Sequence, residues 1–291
     1  MSTLQDHLIK ATAAGGRIRA VAVRTTALAD EARRRHKMAP TAAAALGKAL
    51  TGTLLLAATL RKSGRLNVRV AGKGPLGGIF VDAGTDGTVR GYVGYPELDL
   101  PPRDNGQLNV GGAVGNTGFI SVTYDLGRQP YTGTVSMVSG ELAEDFTAYL
   151  ANSEQIPSAV SLGIFVEAGE VKSAGGLLVQ LMPDAGDEIA ERLEESIRSM
   201  PSFTAMEKEG LSLTAILEKA LAGFQVDILE EDQTVQFACH CDTRRVLDAI
   251  RVLGEAEIRD MILTDGQAEV RCHFCNDLHI VPKEQLEQLV S

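Results

Sequence analysis

The sequence predicts an α+β protein: an N-terminal sheet region with packed helices, a helical connector and a small C-terminal module. Three observations carry this. Short apolar segments punctuated by glycine run through residues 1–182. The character then changes at Pro183 to acidic sequence with apolar residues at helical spacing. All four cysteines lie beyond residue 238, in two tight pairs. The chain has 291 residues, enough for a large core and a smaller module. Trp is absent and aromatics make up 4%, so aliphatic side chains must fill that core.

Arg17–Arg24 alternates Ile18, Ala20 and Ala22 against Arg17, Arg19 and Arg24, the period of a strand. Leu66–Val70, Ile79–Ala83 and Val89–Val93 follow, separated by Gly72, Gly74, Gly84 and Gly87. Phe119–Tyr124 and Tyr131–Val138 form another pair. Val160–Glu167 and Leu177–Met182 form the last, with a turn near Glu167–Glu170. Short strands between glycine-rich turns indicate an antiparallel or mixed sheet. Two helices interrupt them, Pro40–Arg61 and Glu141–Ala151. Thr41–Leu60 has membrane-spanning length, but Lys48 at its middle is expensive in lipid, so a buried helix is expected and no membrane partner.

Beyond Pro183, Ile189, Leu193, Ile197 and Met200 recur on one helical face until Pro201 ends the run. A second helix spans Ser212–Gly223, with Ser212 placed as N-cap and Gly223 as the residue past its end. Each helix has one apolar and one acidic face. The net charge is −10 and unevenly spread. Residues 1–182 are net +3, residues 183–238 net −9 and residues 239–291 net −4. The acidic connector is therefore bounded at 183–233, between a core domain at 1–182 and a module at 234–291. An acidic chain lacks the basic face that phosphate binding requires, so no nucleic-acid partner is expected.

In the module, Val235 and Phe237 suggest a strand leading to Cys239. Asp242 or Thr243 can cap a helix bearing Val246, Leu247, Ile250 and Leu253, which Gly254 closes. A short helix carries Ile258, Met261 and Ile262, and Asp265-Gly266 is a turn. Ala268–Arg271 and Leu278–Val281 are strands, and Pro282 can start a terminal helix.

The chemistry lies in Cys239-His240-Cys241 and Cys272-His273-Phe274-Cys275. Two close pairs joined by a foldable segment can present four thiolates to one tetrahedral Zn²⁺. An iron–sulfur cluster accepts the same donors, but zinc is the preferred assignment. His240, His273 and His279 are alternative ligands nearby; with four cysteines available, their expected role is local hydrogen bonding or solvent contact. Four thiolates leave no open coordination position, so Lewis-acid catalysis is not expected and the protein is read as a non-enzyme. No H-x-E partners the C-x-x-C as a zinc deaminase requires. Thiolates are also the oxidisable form of cysteine, so the same four residues can act as redox-active disulfides. A C-x-x-C pair closes more easily than the tight C-x-C pair.

Several motifs together resemble the redox-regulated heat-shock protein thirty-three family, the 33 kDa chaperonins. Besides the cysteine spacing they are Gly266-Gln267-Ala268-Glu269 ahead of Cys272-His273-Phe274-Cys275-Asn276, Ser139-Gly140-Glu141-Leu142, Asp145-Phe146-Thr147 and Ser153-Glu154-Gln155-Ile156-Pro157-Ser158. Gly175-Gly176 through Gln180-Leu181-Met182-Pro183, and Arg33-Arg34-Arg35-His36 before Pro40-Thr41-Ala42, extend the likeness over the whole chain. The resemblance implies a reduced form that is inactive and holds one zinc per chain on Cys239, Cys241, Cys272 and Cys275. It implies that oxidation pairs Cys239 with Cys241 and Cys272 with Cys275, that zinc leaves, and that the C-terminal region unfolds. It further implies that the active protein is a homodimer that holds unfolding client proteins without ATP and prevents their aggregation under oxidative stress. No G-x-x-x-x-G-K-[ST] loop is present, which agrees with ATP independence. Gly72-Lys73-Gly74-Pro75 and Gly111-Gly112-Ala113 read as turns.

Met1 to Gly16 contains no long apolar run of the secretory kind, and a cytoplasmic protein is expected. The competing reading is a zinc-stabilised module that binds protein or nucleic acid through Arg244, Arg245 and Arg251. A disulfide oxidoreductase using Cys272 and Cys275 is a third, but it lacks the βαβ context.

Overall fold

The computed structural model describes residues 5–60, 63–127 and 129–290, with Glu230 and Glu231 described by their backbone alone. The chain forms two compact units, Met1–Phe237 and Ala238–Ser291.

Unit 1 opens with a hairpin of β1 (His7–Ala13) and β2 (Ile18–Arg24), followed by α1 (Thr26–His36) and α2 (Pro40–Ala58). Strands β3 (Arg65–Gly72), β4 (Ile79–Gly84) and β5 (Thr88–Val93) precede a short helix, α3 (Val110–Val114). Next come β6 (Gly118–Asp125), β7 (Tyr131–Ser136), α4 (Leu142–Asn152), β8 (Ser158–Glu167) and β9 (Glu170–Leu181). Helices α5 (Asp187–Ser199), α6 (Phe203–Lys208) and α7 (Leu213–Ala220) lead to β10 (Val226–Thr234) and β11 (Gln236–Phe237). The first sheet has the order β10-β1-β2-β9-β8 and the second β11-β5-β4-β3-β6-β7. All pairings in unit 1 are antiparallel except β11 with β5.

Helix α2 packs against both sheets, touching β2, β8 and β9 of one and β3, β4 and β5 of the other. That explains its composition: a helix apolar on every side belongs inside a protein. It is long and apolar enough to cross a membrane, yet 94% of its most apolar window is buried within the protein. Lys48 reaches the helix flank, where its Nζ lies 3.1 Å from Glu141 Oε2. The expected helix end at Arg61 lies outside the described residues.

The first sheet is covered on both faces, so β1 and β2 sort their side chains between two cores. Leu8, Val21 and Val23 face the core around α2. Ile9, Ala11, Ala13, Ile18, Ala20 and Ala22 face a second core with α5, α6 and α7. The alanines keep this face shallow, which lets Ile189, Leu193, Ile216, Leu217 and Leu221 sit close against it. Ser202 and Ser212 cap α6 and α7, accepting from the amides of Ala205 and Ala215 at 3.3 and 3.2 Å.

The sequence reading differs from the structure at particular elements. The strands β1 and β10 and the helices α1 and α6 carry no sufficient local signal. Gly111-Gly112-Ala113 forms α3 instead of a turn, because the Asn109 side chain caps it, accepting from Gly112 N at 3.0 Å. The acidic stretch before the cysteines includes the strand β10, whose Val226–Thr234 register lies along β1.

Unit 2 contains α8 (Thr243–Arg251), α9 (Glu255–Thr264), the hairpin β12 (Gln267–Arg271) and β13 (Leu278–Pro282), and α10 (Lys283–Glu287). Asp242 caps α8, accepting from Arg245 N at 2.8 Å. Its core holds six buried residues: Val246, Ile250, Ile258, Ala268, Val281 and Leu286. So small a core rarely supplies more than ~3–5 kcal/mol.

Candidate metal centre

The two cysteine pairs reach one point by different routes. Cys239 and Cys241 precede α8, in the segment that Asp242 fixes as the helix start. Cys272 and Cys275 occupy the turn of the β12–β13 hairpin, pinned by Cys272 N donating to Asp277 O at 3.0 Å and Asn276 N donating to Cys272 O at 2.8 Å. Asn276 adopts φ +61°, a left-handed conformation that asparagine tolerates better than most residues.

The four Sγ atoms lie within 4.8 Å of one another. Cys239 Sγ is 3.7 Å from Cys272 Sγ, and Cys241 Sγ is 3.3 Å from Cys275 Sγ. A disulfide would need about 2.0 Å, so these are free thiols. Zn–S bonds of about 2.3 Å in a tetrahedron put neighbouring sulfurs roughly 3.8 Å apart, close to both contacts. Cys275 is buried and the other three are partly exposed. Burial pushes the Cys241 thiol up to about 11 and raises that of Cys275 as well. Four neighbouring sulfurs in such surroundings become thiolates only with a cation to balance them, and the donor set fits a soft divalent ion.

The histidines stand apart from this cluster. Among the described residues the grouping contains four cysteines and no histidine. His240 and His273 are exposed. His279 sits on β13 paired with Val270, its Nε2 buried without a hydrogen-bond partner. Arg244, Arg245 and Arg251 are exposed on α8, and Arg251 is 3.0 Å from Asp248.

Sequence reasoning found every residue of the cysteine cluster. It missed the polar anchors of unit 1. Asp6 accepts from Ala27 N at 3.1 Å and Leu28 N at 2.7 Å, capping α1 from 21 residues away. Arg24, Ser173 and Glu207 form a buried contact under α6. The one local signal there is the lone Phe203 after Pro201-Ser202.

A two-sheet α+β unit followed by a small four-cysteine module defines the class of protein. The family description "Hsp33 protein" matches residues 6–280. A 33 kDa chaperonin of Nostoc punctiforme is 49% identical over 292 residues, 99% of this chain and 97% of the relative. One from Gloeobacter violaceus is 49% identical over 294 residues, 99% of this chain and 96% of the relative. The crystal structure of the 33 kDa chaperonin (heat shock protein 33 homolog) of Thermotoga maritima superposes with a TM-score of 0.91 at 33% identity, covering 99% of this chain and 98% of that one. The chain belongs to the Hsp33 family.

Proposed function

We propose that this protein is an ATP-independent holdase chaperone of the cytoplasm, inactive when reduced and switched on by oxidation of its four cysteines. The observation that carries the reading is the convergence of Cys239, Cys241, Cys272 and Cys275 within 4.8 Å in a unit whose apolar cluster, among the described residues, holds six buried side chains. These four cysteines would hold one Zn²⁺, which when bound supplies a tetrahedral cross-link worth about 10–16 kcal/mol in small zinc modules. That exceeds what the core of unit 2 provides by itself, so the fold of the module depends on its sulfurs remaining thiolates.

Oxidation removes that dependence in a balanced way. Two thiolates surrender two electrons to one peroxide, which takes two protons from solvent and leaves as two waters while one S–S bond forms. Two such events convert all four ligands into disulfides, Cys239 with Cys241 and Cys272 with Cys275, and none remains to coordinate a metal. Unit 2 then loses its cross-link and unfolds. The connector helices, at 13, 6 and 8 residues, are too short to persist away from the sheet, so their release exposes the apolar surface on both sides of that core. This surface binds unfolding proteins, and the exposed form associates as a homodimer. The role requires no enzymatic chemistry.

The test is aggregation of a heat-labile client followed by light scattering. Peroxide-treated protein suppresses aggregation and reduced protein does not. Equal suppression by both forms, or by neither, refutes the reading.

A further inference from the structure

Helix α6 is held to the first sheet by two features one helical turn apart. Phe203 is 1% exposed, and its ring lies directly on the backbone of β9. A Cβ at Gly175 would fall 2.3 Å from Phe203 Cε1 and 2.5 Å from Cζ. A Cβ at Gly163, on the adjacent β8, would fall 3.2 Å from Phe203 Cβ and 2.8 Å from Thr204 Cγ2. Gly175 therefore makes room for the aromatic ring, and Gly163 for the start of α6 at Phe203 Cβ and Thr204, so the two together form the socket. Four residues on, on the same helical face, stands Glu207. Arg24 Nε donates to its Oε1, and Ser173 Oγ donates to its Oε2. The side chains of Arg24 and Glu207 are only 6% and 8% exposed.

Adhesion alone does not account for this contact. The rest of the face is apolar, mostly alanine, leucine and isoleucine with Val179 and Met206, and an apolar pair in place of Arg24 and Glu207 would hold a helix at least as well, because a buried ion pair recovers little beyond its desolvation cost. The buried guanidinium adds selectivity. With α6 gone, any neutral occupant leaves the Arg24 guanidinium without its hydrogen-bonded carboxylate, and a buried charge that has lost its hydrogen-bonded partner is strongly destabilising. The surface beneath α6 thus has a defined chemistry: a ring in the glycine socket and a carboxylate on Arg24 and Ser173. It adjoins a groove of about 1180 Å³ whose lining includes Leu162–Val166 of β8 and α6 itself.

We propose that Gly163, Gly175, Ser173 and Arg24 form a client-binding site that α6 occupies as a resident ligand. When α6 leaves, the site takes segments of unfolding proteins that carry an aromatic residue and a carboxylate about one helical turn apart. This rests on the holdase reading and names the chemistry of one client site within it. Charge complementarity to Arg24 and the depth of the socket select the occupant.

The test uses the full-length reduced protein with Glu207→Gln and a fluorescent peptide of the sequence Ser202–Leu211. In the variant, amide exchange over residues 203–208 rises at least tenfold above wild type, and the peptide binds, whereas reduced wild type leaves it unbound. Peptides with Phe203 replaced by alanine, or Glu207 by glutamine with Glu209 kept, bind at least tenfold more weakly. Should the variant fail to fold, peroxide-treated wild type must rank the three peptides in the same order. Equal binding of the three peptides, no binding by the opened protein, or unchanged exchange in the variant overturns the proposal. The variant experiment uses no oxidant, so it can fail while peroxide-triggered suppression of aggregation stands, and the reverse.

Discussion

Cys241 Sγ stands 3.3 Å from Cys275 Sγ, a contact that crosses the module between residues 34 positions apart. Cys239 with Cys272 runs the same way at 3.7 Å. Each contact joins one sequence pair to the other, so the four sulfurs act as one centre and loss of any of them opens it. Reduced protein is expected to carry one zinc per chain, and Cys239→Ser to retain less than a tenth of it. Chelation of the wild type unfolds residues 238–291 and leaves the far-UV signal of the elements from β1 to β9. Elemental analysis showing undiminished, tight zinc in the variant would end the assignment.

Oxidation is expected in a fixed order. The Cys272–Cys275 pair spans a hairpin turn already closed by Asn276 N to Cys272 O, and a C-x-x-C loop accepts a disulfide with little strain. The C-x-C loop of Cys239 and Cys241 is tighter and closes once the module has loosened. Time-resolved thiol trapping with mass mapping reads the sequence of bonds. Early appearance of Cys239–Cys241 alone contradicts it.

Release of the connector can be produced without oxidant. Ile216 and Leu217 are fully buried between α7 and the alanine face of the sheet. Ile216→Ala should cost about 2–5 kcal/mol of docking and give holdase activity in the reduced, zinc-bound protein. Phe224 is a weaker lever, because it is only half-buried and its ring is stacked under the Arg192 guanidinium at 4.6 Å. Hydrogen exchange together with light scattering separates the cases. An exposed connector with no suppression of aggregation would show that its release is not the activating event.

The cap on α1 gives unit 1 a pH signature. Burial raises Asp6 from its ordinary value to about 6, against the opposing pull of the Leu28 and Ala27 amides. An acid whose folded pKa is raised binds its proton more tightly in the folded state. Its stabilising contribution is complete below about 4 and is lost as pH rises through 6, a change of about 3 kcal/mol. The stability of wild type relative to Asp6→Asn should therefore fall between pH 4 and pH 7. Denaturant titration of the unit 1 transition measures it, and a difference that stays flat or rises with pH refutes the assignment.

Local signals determined the parts of this protein that repeat or cluster along the chain. The C-x-C and C-x-x-C spacing picks out, before any fold is known, the four cysteines whose Sγ atoms the fold brings within 4.8 Å of one another. The apolar character of Pro40–Ala58, interrupted by Lys48 and three threonines, marks a helix surrounded by protein, and Ser212 and Asp242 announce the helices they cap. What the sequence does not display depends on a partner far along the chain. The acidic run Val226–Thr234 becomes a strand because the free edge of β1 offers it backbone hydrogen bonds more than 200 residues away in sequence. Thr25, placed to cap α1, bonds Thr51 Oγ1 instead at 2.7 Å, and Asp6 supplies the cap from just ahead of β1. Glu207 looks like one more acid in a charged connector until the fold sets it on Arg24, 183 residues away. Helix caps and periodicity are short-range terms that a sequence carries openly. Edge pairing, remote caps and buried charges acquire their energy only when the two sheets and their covering helices have come together.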